Sequence, residues 1–130
     1  MVVFDNLMLN IDRHWGNFGV LRDADSGAVK DLAPVFDTGM SLSREYGMVF
    51  DKVQDSGHQN IMIGVDMNKS LEYIRNPDNI DIRKLSGFRE VIISVFSDNR
   101  YIPDSDIRDI ADQFDRRLAN VEAVLYSIIE

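Results

Sequence analysis

The chain has no cysteine, so it can form no disulfide, no thiolate zinc centre and no cysteine nucleophile. It has only two histidines, and a zinc centre would need several carboxylates to complete it. No apolar run is long enough to span a bilayer, and the opening Met1-Val2-Val3-Phe4-Asp5 lacks the basic stretch and cleavage site of a secretory signal. A cytoplasmic protein with no membrane partner is expected. Positive charge is scarce as well. Fourteen Lys and Arg against 22 Asp and Glu leave a formal net charge of −8 and a sequence pI near 4.6. Contacts to a phosphate backbone need clustered Lys and Arg, so no direct nucleic-acid binding is expected. Three prolines, no repeats and no low-complexity tract leave no obvious linker.

What is present suits one domain. At 130 residues, 45% hydrophobic and 28% charged, the chain is large and apolar enough to bury a proper core. Residues 1 to 9 carry Val2, Val3, Phe4, Leu7 and Met8 at helical spacing, with Asp5 and Asn6 on another face, and Asn10 ends the helix. No N-cap signal precedes it, so the chain reads as starting inside an element, as a cut fragment would. Phe18 to Leu21 predicts a strand, Arg22 to Gly27 a turn, and Val29 to Phe36 the returning strand of a hairpin. Pro34 lacks a ladder donor, so this second strand should lie at an edge or end early.

From Thr38 to Asn68 the pattern is poor and punctuated by Gly39, Gly47, Gly57 and Gly64, which predicts a long loop with short pieces of structure. Its hydroxyls Ser41, Ser43, Tyr46 and Ser56 are ordinary loop residues first and phosphorylation sites only second. His58 is read as a surface or packing residue. A short helix is predicted around Leu71 to Arg75, ended by Asn76-Pro77. A longer one should run from an Asp81 cap through Asp98, with Leu85, Phe88, Ile92, Val95 and Phe96 on one stripe and Gly87 as its weak spot. The last helix should start at Asp104 or Ser105 and reach Ile129, burying Ile107, Ile110, Ala111, Phe114, Leu118, Val121, Leu125 and Ile128. These stripes are core rather than a cofactor box. The fold class expected is α+β, mostly α, with two antiparallel helices bracing the loop region.

The chemistry concentrates in Asn10-Ile11-Asp12-Arg13-His14-Trp15-Gly16-Asn17, with Asp37-Thr38-Gly39 one hairpin downstream. Asp12 and Asn17 have the D-x-x-x-x-N spacing of a phosphoryl-transfer loop, in which the Asp orients the attacking hydroxyl and the Asn holds magnesium. Asp37 would be the second metal ligand. Mg²⁺ wants hard oxygen ligands and usually takes only one or two from protein, so one Asp and one Asn suffice. A further carboxylate off the metal is then free to accept a proton. Asp and Asn also build turns and cap helices, so the octet by itself would serve as a connector too. The His and Gly inside it, and the second Asp-x-Gly after an apolar run, favour a site.

Asn10-x-Asp12-x-His14-x-x-Asn17-Phe18, followed by Leu32-Ala33-Pro34-Val35-Phe36-Asp37, resembles the catalytic loop and metal-binding segment of the HipA-like serine/threonine kinases. A more distant similarity runs to phosphatidylinositol kinases, whose loop also reads Asp-Arg-His. The resemblance covers residues 4 to 42 most specifically. It implies Asp12 as catalytic base, Asn17 and Asp37 as Mg²⁺ and nucleotide ligands, and His14 as support for the loop or the transferred phosphate. Two features depart from ordinary protein kinases. The His-Arg-Asp order is rearranged, and the metal segment is Asp-Thr-Gly without a Phe.

By the same resemblance, 1–130 would be one kinase C-terminal lobe, with catalytic loop 10–17, hairpin 18–36, metal segment 37–39 and helical region 69–130. A glycine-rich phosphate loop, a Val-Ala-x-Lys strand and a helical Glu are not found in the sequence, and all belong to the nucleotide-covering half of a kinase. The implied cofactors are Mg²⁺ and ATP, and the implied partners are the missing N-terminal lobe, a protein substrate and an antitoxin-like protein. The isolated chain is then expected to be inactive or nearly so. Two other classes stay open. A metal-dependent phosphate-ester hydrolase would use Asp12, His14 and Asp37 and need further acids, with Asp51 or Asp55 nearest in the loop. A non-catalytic helical module would bind a partner and have no need of intact Asp12, Asn17 and Asp37.

Overall fold

The structure, a computed structural model, describes residues 1–39, 41–43, 59–60, 65–66 and 69–129. Tyr46, Asp51, Asp55, Ser56 and His58 lie outside the described residues, and so do the expectations attached to them. The described part is mostly helical with small antiparallel β-ribbons, an α+β fold that is mostly α. Among the described residues no helix is long and apolar enough to cross a membrane.

Helix α1 spans Val2–Met8 and stops where Leu9 turns left-handed (φ 49°). There the Leu9 and Asn10 amides return to the carbonyls of Asn6 and Asp5, a closure that satisfies two otherwise orphaned acceptors. The sequence sets Asp5 and Asn6 apart from the apolar face, but both are buried, at 1% and 2% exposure. Burial of a carboxylate demands a partner, which α1 does not itself contain.

Strands β1 (Val20–Arg22) and β2 (Val29–Leu32) pair antiparallel, with Val20 opposite Leu32 and Leu21 opposite Asp31. They are shorter than predicted at both outer ends. The final cross-strand bond runs from the Ala33 amide to the Gly19 carbonyl, and Pro34, with no N–H, cannot extend the ladder. The turn is organised by Asp23, whose carboxylate accepts from the amides of Asp25 and Ser26 and the Ser26 hydroxyl and pairs with Lys30 at 2.6 Å. Gly27 sits at φ +70°, a conformation glycine adopts without a Cβ clash. A second ribbon pairs β3 (Gln59–Asn60) with β4 (Val65–Asp66), one of the short pieces inside the predicted long loop.

The segment predicted as a helix at 71–75 is a 3₁₀ turn, Lys69–Tyr73. The helix predicted from Asp81 is also corrected. Residues Ile82–Leu85 form a 3₁₀ turn, and helix α2 begins only at Phe88, ending at Ser97. Gly87 explains the break, because its φ of +78° cannot continue a right-handed helix. Asp81 makes no capping bond and instead accepts from Arg83 at 2.8 Å. Helix α3, Asp104–Ile129, matches its predicted span.

Helices α2 and α3 pack together and run in opposite directions. Arg89, early in α2, pairs with Asp112 of α3, while Ser97 at the end of α2 shares a surface pocket with Asp104 and Arg108 at the start of α3. The Phe88 and Phe114 rings meet at 5.1 Å. The core joins Leu7 of α1, Leu71, Ile92 of α2, and Ile110, Ala111, Phe114, Val121 and Leu125 of α3. Each large member contributes about 1.5 to 3 kcal/mol by leaving water. Two residues predicted in the stripes are not in the core. Val95 is 67% exposed and Ile128 38% exposed, each at an edge of its helix face that nothing covers among the described residues.

Helix α3 also packs on α1, and Arg117 is buried in that contact. Its Nε donates to the Leu7 carbonyl at 2.8 Å, capping another acceptor at the end of α1. Its Nη1 and Nη2 find no acceptor among the described residues. Burial, and secondarily the neighbouring Arg116, bring the Arg117 guanidinium down from its ordinary value to about 10.

Candidate metal and phosphoryl-transfer site

The octet follows directly from the left-handed exit of α1, so its start is referenced to the helical core. Ile11 and Asp12 turn, His14 is extended, and Trp15–Asn17 form a single 3₁₀ turn that leads to β1. The Asn17 amide closes that turn on the His14 carbonyl at 2.9 Å. The hairpin then carries the chain out and back.

Arg13 lies beneath this loop at 1% exposure and is the partner that Asp5 requires. Its Nε stands 3.1 Å from both Asp5 carboxylate oxygens and its Nη2 2.8 Å from Oδ1, a bidentate buried ion pair. The Asn10 side-chain amide donates to the same Oδ1 at 3.2 Å. The remaining terminal nitrogen of Arg13, Nη1, donates to the Asn17 carbonyl at 2.6 Å and the Phe36 carbonyl at 3.0 Å. A single nitrogen thus touches the end of the octet and the residue before Asp37.

Asn17 is buried, at 3% exposure, and its Nδ2 donates to the Asp12 carbonyl at 2.9 Å. That bond fixes the amide's orientation and leaves Oδ1 as the atom it offers elsewhere. The Asp12 carboxylate is partly open, with 43% side-chain exposure, and its Oδ2 lies 4.0 Å from His14 Nε2. His14 Nδ1 accepts from the Gly16 amide at 3.1 Å, so a neutral His14 carries its proton on Nε2, facing Asp12. The glycine in the octet has a local cause too. A Cβ at Gly16 would sit 3.1 Å from the His14 ring. Asp37 is exposed and left-handed at φ 52°, a conformation that costs a non-glycine residue about 1 to 2 kcal/mol. Trp15 is 70% exposed and leans on Phe18, with ring centroids 5.4 Å apart.

Among the described residues no three His, Cys, Asp or Glu side chains gather as a metal cluster. An all-protein cage of the zinc kind is therefore not formed by them. An amide oxygen from Asn17 and a carboxylate from Asp37 do suit Mg²⁺, which keeps most of its waters and takes few protein ligands. Asp12, His14 and Asn17 are joined by the contacts above, and Phe36 brings the start of the Asp37 segment to the same loop through Arg13. Sequence reasoning missed Asp5 and Arg13. Neither follows a periodicity, and the one available signal was an acid in a largely apolar helix eight residues before an Arg. No protein-family model, no curated protein and no solved structure matches the chain.

Proposed function

We propose that the chain is the catalytic-loop lobe of a HipA-like serine/threonine kinase, transferring the terminal phosphoryl group of ATP to a protein hydroxyl once a nucleotide-covering lobe joins it. One observation carries the reading: Arg13 Nη1 is shared by the carbonyls of Asn17 and Phe36, so the end of the D-x-x-x-x-N loop and the approach to the Asp-Thr-Gly segment meet at one nitrogen. This supports the reading, because a shared magnesium ion would need residues twenty positions apart to lie near each other.

In this reading Asn17 Oδ1 and the Asp37 carboxylate would hold Mg²⁺. The ion would supply positive charge to offset the charge developing on the phosphate. Asp12 accepts the acceptor hydroxyl's proton as that oxygen bonds to phosphorus and the bond from phosphorus to the ADP oxygen breaks. His14 Nε2–H, exposed beside Asp12, donates toward the transferred phosphoryl oxygens or steadies the loop. Arg13 adds no free charge to the site, because Asp5 neutralises it. The cofactors are Mg²⁺ and ATP, the partners are the covering lobe, a protein substrate and an antitoxin-like protein, and the setting is cytoplasmic.

The test is transfer from labelled ATP by the chain joined to a nucleotide-covering lobe, with nucleotide binding followed in parallel. Asp12→Asn keeps size and hydrogen bonding but loses the proton acceptor, so turnover should fall about 10²- to 10⁴-fold with nucleotide affinity little changed. Full activity in that variant would remove Asp12 from the role of base.

A further inference from the structure

Arg13 has five N–H donors in one rigid plane, and it divides them between two tasks. Nε and Nη2 grip the Asp5 carboxylate on α1, and Nη1 holds two main-chain carbonyls, those of Asn17 and Phe36. The plane cannot turn to adjust one contact without breaking another. Asp5 is itself fixed by the helix and by Asn10 Nδ2. The two carbonyls are consequently spaced by the one nitrogen they share.

The Phe36 carbonyl and the Asp37 amide belong to one planar peptide unit. Holding that carbonyl orients the N–Cα bond of Asp37, a residue in the left-handed region that needs its surroundings to keep it there. At the other end, the Asn17 carbonyl is one bond from the Cα that carries the amide side chain. The side chain is pinned again through Nδ2 to Asp12. We infer that Arg13 is the positioning residue that sets the spacing of Asn17 and Asp37 for one shared divalent cation. The inference rests on the metal reading proposed above. A lysine could pair with Asp5, but a single ammonium lacks the fork that reaches Asp5 and both carbonyls together.

The competing role is purely structural, a buried ion pair that merely holds the loop to α1. Two substitutions separate them. Arg13→Lys keeps the charge for Asp5 and loses the bridge, whereas Asp5→Asn loses the ion pair and leaves Nη1 on both carbonyls. The chain is labelled with ¹⁵N and titrated with Mg²⁺ alone, following the Asn17 side-chain amide and the Asp37 main-chain amide by their chemical shifts. In the unaltered chain both signals should move with one common midpoint. Arg13→Lys should separate the two midpoints or raise both by about 10- to 100-fold, the usual effect of removing a group that orients metal ligands. Asp5→Asn should lower thermal stability and keep a common midpoint close to the original.

A folded Arg13→Lys chain with the original common midpoint overturns the inference. Separated midpoints in Asp5→Asn also overturn it, and decide the matter if Arg13→Lys does not fold. Independent or absent shifts at Asn17 and Asp37 in the unaltered chain remove the shared metal itself, and with it both this role and the proposed magnesium site.

Discussion

The Asn17 side-chain amide donates to the main-chain carbonyl of Asp12 at 2.9 Å, so the metal-ligand candidate and the proton-acceptor candidate close the same six-residue loop. Asn17 is buried, and its Nδ2 is a structural donor, so Oδ1 is the atom it would offer a metal in the proposed site.

Asn17→Asp separates those two uses. It replaces the donor with a second oxygen facing the Asp12 carbonyl, so without metal the chain should lose about 1 to 3 kcal/mol of stability, the cost of a buried group left without its bond. Saturating Mg²⁺ should return a good part of the loss, because a carboxylate is the stronger ligand. Asn17→Ala should lose stability and regain none. Thermal unfolding of both variants with and without Mg²⁺ checks this, and equal metal response in the two would remove Asn17 from the ligand set.

The two buried arginines should behave oppositely when made apolar. Arg13→Met strands the Asp5 carboxylate inside the protein and should cost about 3 to 5 kcal/mol. Arg117→Met removes a guanidinium whose Nη atoms have no acceptor among the described residues, at the loss of one bond to Leu7. Stability should stay within about 1 kcal/mol of the original or rise. The pH dependence has a definite sign. Folding lowers the Arg117 guanidinium to about 10, so the native state tolerates the neutral form better than the unfolded chain does. Its destabilising effect is full below pH 10 and is relieved as pH rises above 10 toward the ordinary arginine value, a gain that Arg117→Met should abolish. Denaturant midpoints across alkaline pH measure both effects.

The hairpin turn should survive ordinary acidification. Asp23 is held well below the usual carboxylate value of 3.8, first by Lys30 and then by its bonds to Ser26 and Asp25. A lowered folded pKa means its contribution is fully present above 3.8 and is lost only as pH falls from there through the depressed value. The Ser26 and Ala28 amide signals should stay constant from neutral pH to about 4 and move only on stronger acidification. Movement centred in the ordinary carboxylate range would show that the turn does not depend on Asp23.

Gly87→Ala distinguishes a continuous helix from the observed break. Were residues 81–98 one helix, the substitution would stabilise by about 0.5 to 1 kcal/mol. At the observed φ of +78° it should instead cost about 1 to 2 kcal/mol, with the Cβ meeting nothing closer than Glu90 Oε2 at 3.9 Å. The sign of the change in a denaturant titration decides.

Local rules in the sequence determined α3 and the hairpin. Ile107, Ile110, Ala111, Phe114, Val121 and Leu125 recur at helical spacing and all are buried, because a helix with one apolar face has one way to hide it. Asp23, Ser26 and Gly27 carry the turn chemistry in their own side chains and backbone freedom, and Pro34 ends the ladder by lacking an N–H. The residue types of the candidate site were legible in the same way, as a spacing of Asp and Asn. Tertiary structure alone decided which polar groups went inside. Arg117 reaches the carbonyl of Leu7 across 110 positions, and Arg13 reaches Phe36 across 23. No local pattern encodes such pairs, since a buried charge is tolerated only where distant chain segments happen to bring it acceptors. The same physics joined the loop to the Asp37 segment. The residue types are written in the sequence, but the meeting of the Asn17 and Phe36 carbonyls depends on a guanidinium that the fold had to enclose.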